Sequence, residues 1–132
     1  MRFLQVSASL LLLQSVLVSV QGAMRIYGDV TVTVFLNHID VTLFDNGVDY
    51  IKGQVVTTAF DSWSSTIDGS GDYKCRAWWN AGRKTVVFEW SRPGMSDTLE
   101  CPASCRQDCV GDGGKLDPKR CITHCDYSCW YY

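Results

Sequence analysis

The chain has 132 residues, 46% of them hydrophobic and 20% charged, with a formal net charge of −2. Charges of both signs are interspersed and no basic block stands out, which argues against nucleic acid as a partner. The length past a short leader is that of one domain with a modest core.

Met1 and Arg2 form a small positive start, followed by an apolar stretch strongest over Leu10–Leu13 and Val16–Val20. Val20-Gln21-Gly22 then fits a small-residue cleavage site before Ala23. Gln14, Ser15 and Ser19 interrupt the run, which is marginal against the roughly 20 apolar residues of a membrane span. The expectation is a signal peptide over 1–22 and a single secreted, cysteine-rich domain over 23–132, with no stable membrane span once the signal is cleaved. Arg2 leaves with the signal, so 11 Lys and Arg then face 14 Asp and Glu, a charge of −3. No Asn begins an N-x-Ser/Thr sequon, so N-glycosylation is not expected.

From Ile26 to Trp90 the pattern is that of short strands. Val30, Val32, Val34 and Leu36 alternate with Thr31, Thr33 and Phe35, a period of two rich in β-branched residues. Ile39–Phe44 is a second run and ends at Asp45-Asn46-Gly47, where Asn-Gly marks a tight hairpin because both turn positions need positive φ. Val48–Ala59 reads as a long strand, bent at Gly53. Asp61–Asp72 has the composition of a surface loop. Tyr73–Trp79 and Thr85–Trp90 form another hairpin, with Tyr73, Cys75, Ala77 and Trp79 on one face and Val86, Phe88 and Trp90 on one face of its partner. About five strands joined by short turns predict a small antiparallel sheet or sandwich over 23–94.

Six of the seven cysteines fall in two C-x3-C-x3-C triplets, Cys101, Cys105 and Cys109, then Cys121, Cys125 and Cys129. A step of four advances a helix by about 400°, so each triplet stays on one helical face. Pro102 and Pro118 suit first helical positions, Asp117 an N-cap, and Gly111, Gly113 and Gly114 a helix end. The spacing therefore predicts helices over Pro102–Val110 and Pro118–Trp130, and an α+β fold in which residues 95–132 form a disulfide-bonded helical hairpin. Antiparallel helices pair the end of one with the start of the other, giving Cys109–Cys121, Cys105–Cys125 and Cys101–Cys129. Cys75 is then a free thiol, open to a disulfide-linked dimer. The outer rung has an alternative, because Cys101 precedes Pro102: Cys75–Cys101 with Cys129 left over.

The inner four cysteines resemble the C-x3-C…C-x3-C frame of α-hairpinins, secreted peptides with two disulfide-linked helices. The likeness covers Cys105–Cys125 and implies a fold element, not the antimicrobial, inhibitor or toxin roles of that group. The twin spacing also resembles small chaperones of the mitochondrial intermembrane space, against which the signal peptide and the β-rich first half both speak. A zinc site at His124 and its neighbours is disfavoured, since zinc pairs are more often C-x2-C and cysteines in a secreted chain oxidise.

Chemistry-bearing motifs are few. No G-x-S-x-G, C-x-x-C or H-E-x-x-H occurs, so no catalytic residue, metal or cofactor is assigned. His38, between two strand patterns, reads as a turn residue. Asp61, Asp68 and Asp72 lack EF-hand spacing and read as solvated loop carboxylates. Aromatic residues are more informative. Adjacent Trp78 and Trp79 must point to opposite faces of a strand, and the outer one, with Trp130, is a candidate ligand contact. The function expected is a non-enzymatic extracellular binding or effector-like protein whose partner is a protein or a glycan. A carbohydrate-binding module is the first alternative, and a toxin or antimicrobial protein the second, weakened by the net charge.

Overall fold

The computed structural model describes residues 23–58, 63–112 and 115–132, with side chains over 23–58, 63–109 and 121–132. The expected signal peptide, Asp61, Gly113 and Gly114 lie outside the described residues, as do the side chains of Asp117 and Pro118.

The architecture is all-β. Among the described residues there are eight antiparallel strands, β1 (Met24–Val32), β2 (Leu36–Asp45), β3 (Val48–Thr58), β4 (Ile67–Asp68), β5 (Lys74–Asn80), β6 (Thr85–Arg92), β7 (Met95–Asp112) and β8 (Lys115–Tyr131). They lie in the order β3-β2-β1-β8-β7-β6-β5-β4. Two meanders, β1–β3 and β4–β6, are thus joined by the C-terminal hairpin in the middle of the sheet, where the first strand pairs with the last. The sheet curls until its edges meet. The Ser70 N–H donates to the Tyr50 carbonyl at 2.9 Å, and Tyr50 stacks on Tyr73 with centroids 4.5 Å apart. The result is a nearly closed barrel.

No helix occurs among the described residues, which corrects the α+β expectation and its helical hairpin over 95–132. The reason lies in the arithmetic of the spacing. Four residues are also two full periods of a strand, so C-x3-C keeps its cysteines on one face of a β-strand as well. Pro102 does not open a helix. It faces Thr85, the first residue of β6, so its missing N–H falls where β6 runs out. Asp112 pairs with Lys115, so the segment expected to end one helix and start another is paired strand on both sides. The α-hairpinin likeness therefore ends at the cysteine spacing.

Other boundaries shift too. The run from Val30 to Leu36 is not one strand: β1 stops at Val32 and β2 begins at Leu36. His38 lies within β2 instead of in a turn. Between β2 and β3 the register shifts at Leu43/Phe44, while Gly53 pairs in line with Val41. Asn46 and Gly47 carry φ of 49° and 80°, as the tight turn demands.

The core fills the barrel with alternating inward residues: Ile26 and Val30, Ile39, Val41 and Leu43, Ile51 and Val55, Cys75, Ala77 and Trp79, and Val86, Phe88 and Trp90. Cys101, Cys125 and Tyr127 join it from the C-terminal hairpin. Three disulfides cross that hairpin, Cys101–Cys129, Cys105–Cys125 and Cys109–Cys121. The inner two link directly opposed residues whose Cα atoms are 4.0 Å apart, the close kind of antiparallel pair.

Gly28 marks a tight place. A Cβ there would run into the backbone carbonyl of Asp40 and meet the Tyr127 hydroxyl, which itself donates to that carbonyl at 2.8 Å. Tyr127 thus reaches across the bare Gly28 backbone from β8 to β2. Gly28→Ala is expected to destabilise the fold by about 1–3 kcal/mol, since backbone must shift to admit a methyl. Chemical denaturation measures this, and an unchanged midpoint would refute the contact.

Candidate functional site

The four strands β3-β2-β1-β8 present a continuous outer face whose side chains fall into rows set by the register. Trp130 lies opposite Arg25, Ser128 opposite Tyr27, and Asp126 opposite Asp29. Tyr27 in turn faces Thr42, Thr42 faces Lys52, and Asp40 faces Gln54. These rows border an open concavity of about 720 Å³, lined among others by Arg25, Tyr27, Asp29, Gln54, Asp126 and Ser128.

One guanidinium organises its aromatic end. Arg25 lies 4.3 Å over the Tyr27 ring and 5.7 Å from that of Trp130, and its Nε donates to the Ser128 hydroxyl at 3.2 Å. Cation–π contact at an exposed site contributes about 0.5–1 kcal/mol, enough to bias side chains that strand geometry already aligns. Trp130 remains 47% exposed.

The next row is acidic. Asp29 lies opposite Asp126, and the Asp29 carboxyl is held above its ordinary range, first by hydrogen bonding with Asp126 in the protonated form, then by desolvation and the charges of Asp126 and Asp40. Asp40 accepts from Gln54 Nε2 at 2.8 Å. This row also walls off a second concavity, of about 390 Å³, shared with Arg106 and His124. Among the described residues no group of three or more His, Cys, Asp or Glu is arranged to hold a metal ion.

The residues singled out from sequence separate into distinct places. Trp79 is core, and Trp78 points outward on β5, edge-on to Trp63 at 6.3 Å. Arg76 lies over that Trp63 ring at 4.3 Å and forms an ion pair with Glu89 at 2.7 Å. Trp78 on β5 and Trp130 on β8 are separated by β6 and β7 in the sheet order. Cys75 is 3% exposed, and burial pushes its thiol up to about 12. A protonated, enclosed thiol is unreactive, so the disulfide-linked dimer through Cys75 has no exposed sulfur in the folded chain. Asp68 makes an exposed ion pair with Lys74 at 3.8 Å. Arg25, Tyr27, Asp29, Asp40, Asp126 and Ser128 are site residues that the sequence reading missed. Alternation alone places Arg25, Tyr27 and Asp29 on one face, and Asp126, Ser128 and Trp130 on another. Only the pairing of β1 with β8 brings the two sets together.

No protein-family model, curated protein or solved structure matches the chain.

The carboxyl pair makes a definite prediction. A carboxyl whose pKa is raised on folding adds stability that is fully present below its unfolded pKa and is lost as pH rises through its folded pKa. Asp126→Asn removes the opposed charge, so the Asp29 midpoint should fall towards the ordinary range and this loss of stability on raising pH should shrink. Carboxyl-carbon NMR titration follows Asp29 directly. An unmoved midpoint would show that Asp126 is not the cause.

Proposed function

We propose that this is a secreted, non-enzymatic binding protein whose contact surface is the outer face of β3-β2-β1-β8. The observation that carries the reading is Trp130, half exposed beside Tyr27 and Arg25 at the border of an open concavity. Trp, Tyr and Arg are the residues that most often anchor contacts, and strands hold them with little loss of freedom on binding. Three disulfides in a chain with an N-terminal signal pattern support export to an oxidising compartment.

The carboxyl pair supports binding over catalysis. Asp29 and Asp126 stand opposite each other in the β1–β8 register. Aspartic proteases enclose their paired carboxyls, whereas Asp29 stands open to solvent.

A glycan is the ligand class this chemistry favours. The apolar face of a sugar ring stacks on an exposed Trp or Tyr, and its hydroxyls match adjoining carboxylates, an amide and a hydroxyl. Asp126, Gln54 and Ser128 stand within one or two rows of the rings. A glycan array with the refolded or secreted protein, followed by calorimetry on the best hit, tests this. Trp130→Ala and Tyr27→Ala should each weaken binding by more than about 1 kcal/mol while the fold persists. Trp78→Ala, on β5 and outside the lining of the concavity, should leave it unchanged. Binding unaffected by the first two variants would reject this face as the contact surface, and an array without hits would reject the glycan reading.

A further inference from the structure

The β7–β8 ribbon carries β7 past the strand that covers its outer edge. The β6 ladder on β7 ends where Thr85 faces Pro102, and the Ala103 N–H then donates to the Lys84 carbonyl at 3.1 Å. From there β7 runs on to Asp112, with no strand beside that edge among the described residues.

The bridges fix which backbone groups point outward. Cys105 opposes Cys125 and Cys109 opposes Cys121, each pair with Cα atoms 4.0 Å apart. Such close pairs exchange no hydrogen bond, so their N–H and C=O groups point away from the facing strand. Ala103, in the same phase, shows the direction by reaching Lys84. Cys105, Gln107 and Cys109 therefore aim their N–H and C=O groups out along the edge, and Gln107 is exposed. Sheets blunt an open edge with Lys, Pro or a bulge. Here no Lys or Pro occurs from Ala103 to Cys109, and the register shifts only past Cys109.

The flanking charges suit a copy of the same strand. Arg106 and Asp108 stand either side of Gln107 on one face, with Arg106 Nε 3.8 Å from the Asp108 carboxylate. His124 lies beside them, 3.7 Å from that carboxylate. The Arg–Asp pair is balanced, so the edge does not repel its own kind. An antiparallel second copy, related by a twofold axis at Gln107, sets Arg106 opposite Asp108 of the second copy, and Asp108 opposite Arg106 of the second copy. Unlike charges directly opposed stabilise such a ladder, and like charges destabilise it. The backbone phase fits too. Gln107 meets Gln107 and Cys105 meets Cys109, and these are the residues whose N–H and C=O groups face outward.

Other registers fit less well. An axis at Arg106 or Asp108 opposes like charges and brings the wrong backbone groups together. An axis at Cys105 sets Asp108 against Pro102, where β6 already lies. An axis at Cys109 runs into the register shift between Cys109 and Gly111.

We propose that the chain forms a reversible dimer in which two copies of β7 pair antiparallel about Gln107, joining the two ribbons into one four-stranded sheet. The contact is isologous and short, so its association is weak and depends on concentration. It is independent of the glycan reading, because no residue from Cys105 to Cys109 lines the concavity beside Trp130.

Sedimentation velocity of the oxidised protein tests it, at concentrations up to about 1 mM, where weak association is populated. The dimer fraction should rise with concentration. Arg106→Asp and Asp108→Arg should each weaken dimerisation about tenfold or more by opposing like charges. The double variant should restore it, because exchanging the charges recreates the twofold match, and a restored dimer also shows that the fold tolerates both changes. In a mixture of isotope-labelled and unlabelled protein, the Arg106 Hα should show a nuclear Overhauser contact to the Asp108 Hα of the second copy. A chain that stays monomeric, a dimer indifferent to both single variants, or a double variant as weak as the singles would each overturn the proposal. A monomer that captures an extended peptide along this edge would overturn it in favour of strand addition by another protein.

Discussion

Everything in this fold hangs on the hairpin of β7 and β8. Neither meander touches the other through a ladder except by way of these strands: β6 pairs with β7, and β1 pairs with β8. A two-stranded hairpin is marginal in water by itself, and this one runs on past the last residues of β6 and β1 that support it. Beyond Ala103, whose N–H donates to the Lys84 carbonyl, on one strand and Thr123 on the other, only the partner strand remains. The Cys105–Cys125 and Cys109–Cys121 bridges fall at and beyond that limit, and Cys101–Cys129 falls where the hairpin enters the barrel. The bridges thus run from the core, where Cys101 and Cys125 are buried, out to Cys109–Cys121 past the supporting strands. Nested bridges restrict overlapping loops, so their contributions to stability do not simply add.

The outer face inherits its geometry from the same hairpin. Because β8 docks beside β1, residues from opposite ends of the chain interleave: Trp130 with Arg25, Ser128 with Tyr27, Asp126 with Asp29. Long-range pairing of this sort closes a large loop and is slow to form. A bridge that holds β7 to β8 delivers both strands together to the remaining sheet. Tyr127 then fastens the docked strand by donating across Gly28 to the Asp40 carbonyl. The contact surface proposed for this protein is a consequence of where this strand lands.

How far the sequence reveals this can be traced residue by residue. The hairpins around Asn46-Gly47 and between Trp79 and Thr85 were legible because turn chemistry and alternation agree there. That Trp78 and Trp79 part to opposite faces follows from strand periodicity alone, while the burial of Trp79 is what the structure adds. The C-terminal segment misled because four residues are near one helical turn and also two strand periods, so the cysteine spacing carries no information about which is present. Proline and glycine positions then tipped the reading towards helix caps. Evidence for strands was there: Leu99, Cys101, Ala103 and Cys105 alternate with Glu100, Pro102, Ser104 and Arg106, a period of two. The nested order of bridges is common to any antiparallel hairpin, helical or extended, which is why it did not depend on the helices. The exposed Val34-Phe35 turn escaped notice because its residues continue the apolar alternation of β1, and only the structure shows the chain turning there. The pairing of the first strand with the last has no local signature at all.

The most direct test of the account is whether residues 101–109 and 121–129 are paired strands or helices. Nuclear Overhauser spectroscopy of the oxidised protein distinguishes them at single residues. Opposed close pairs in an antiparallel ladder bring their Hα protons together, so strong Hα–Hα contacts are predicted between Cys105 and Cys125 and between Cys109 and Cys121. Sequential amide–amide contacts and Hα contacts to the amide three residues on, running through either segment in their place, would contradict the all-β ribbon on which the fold and its binding face rest.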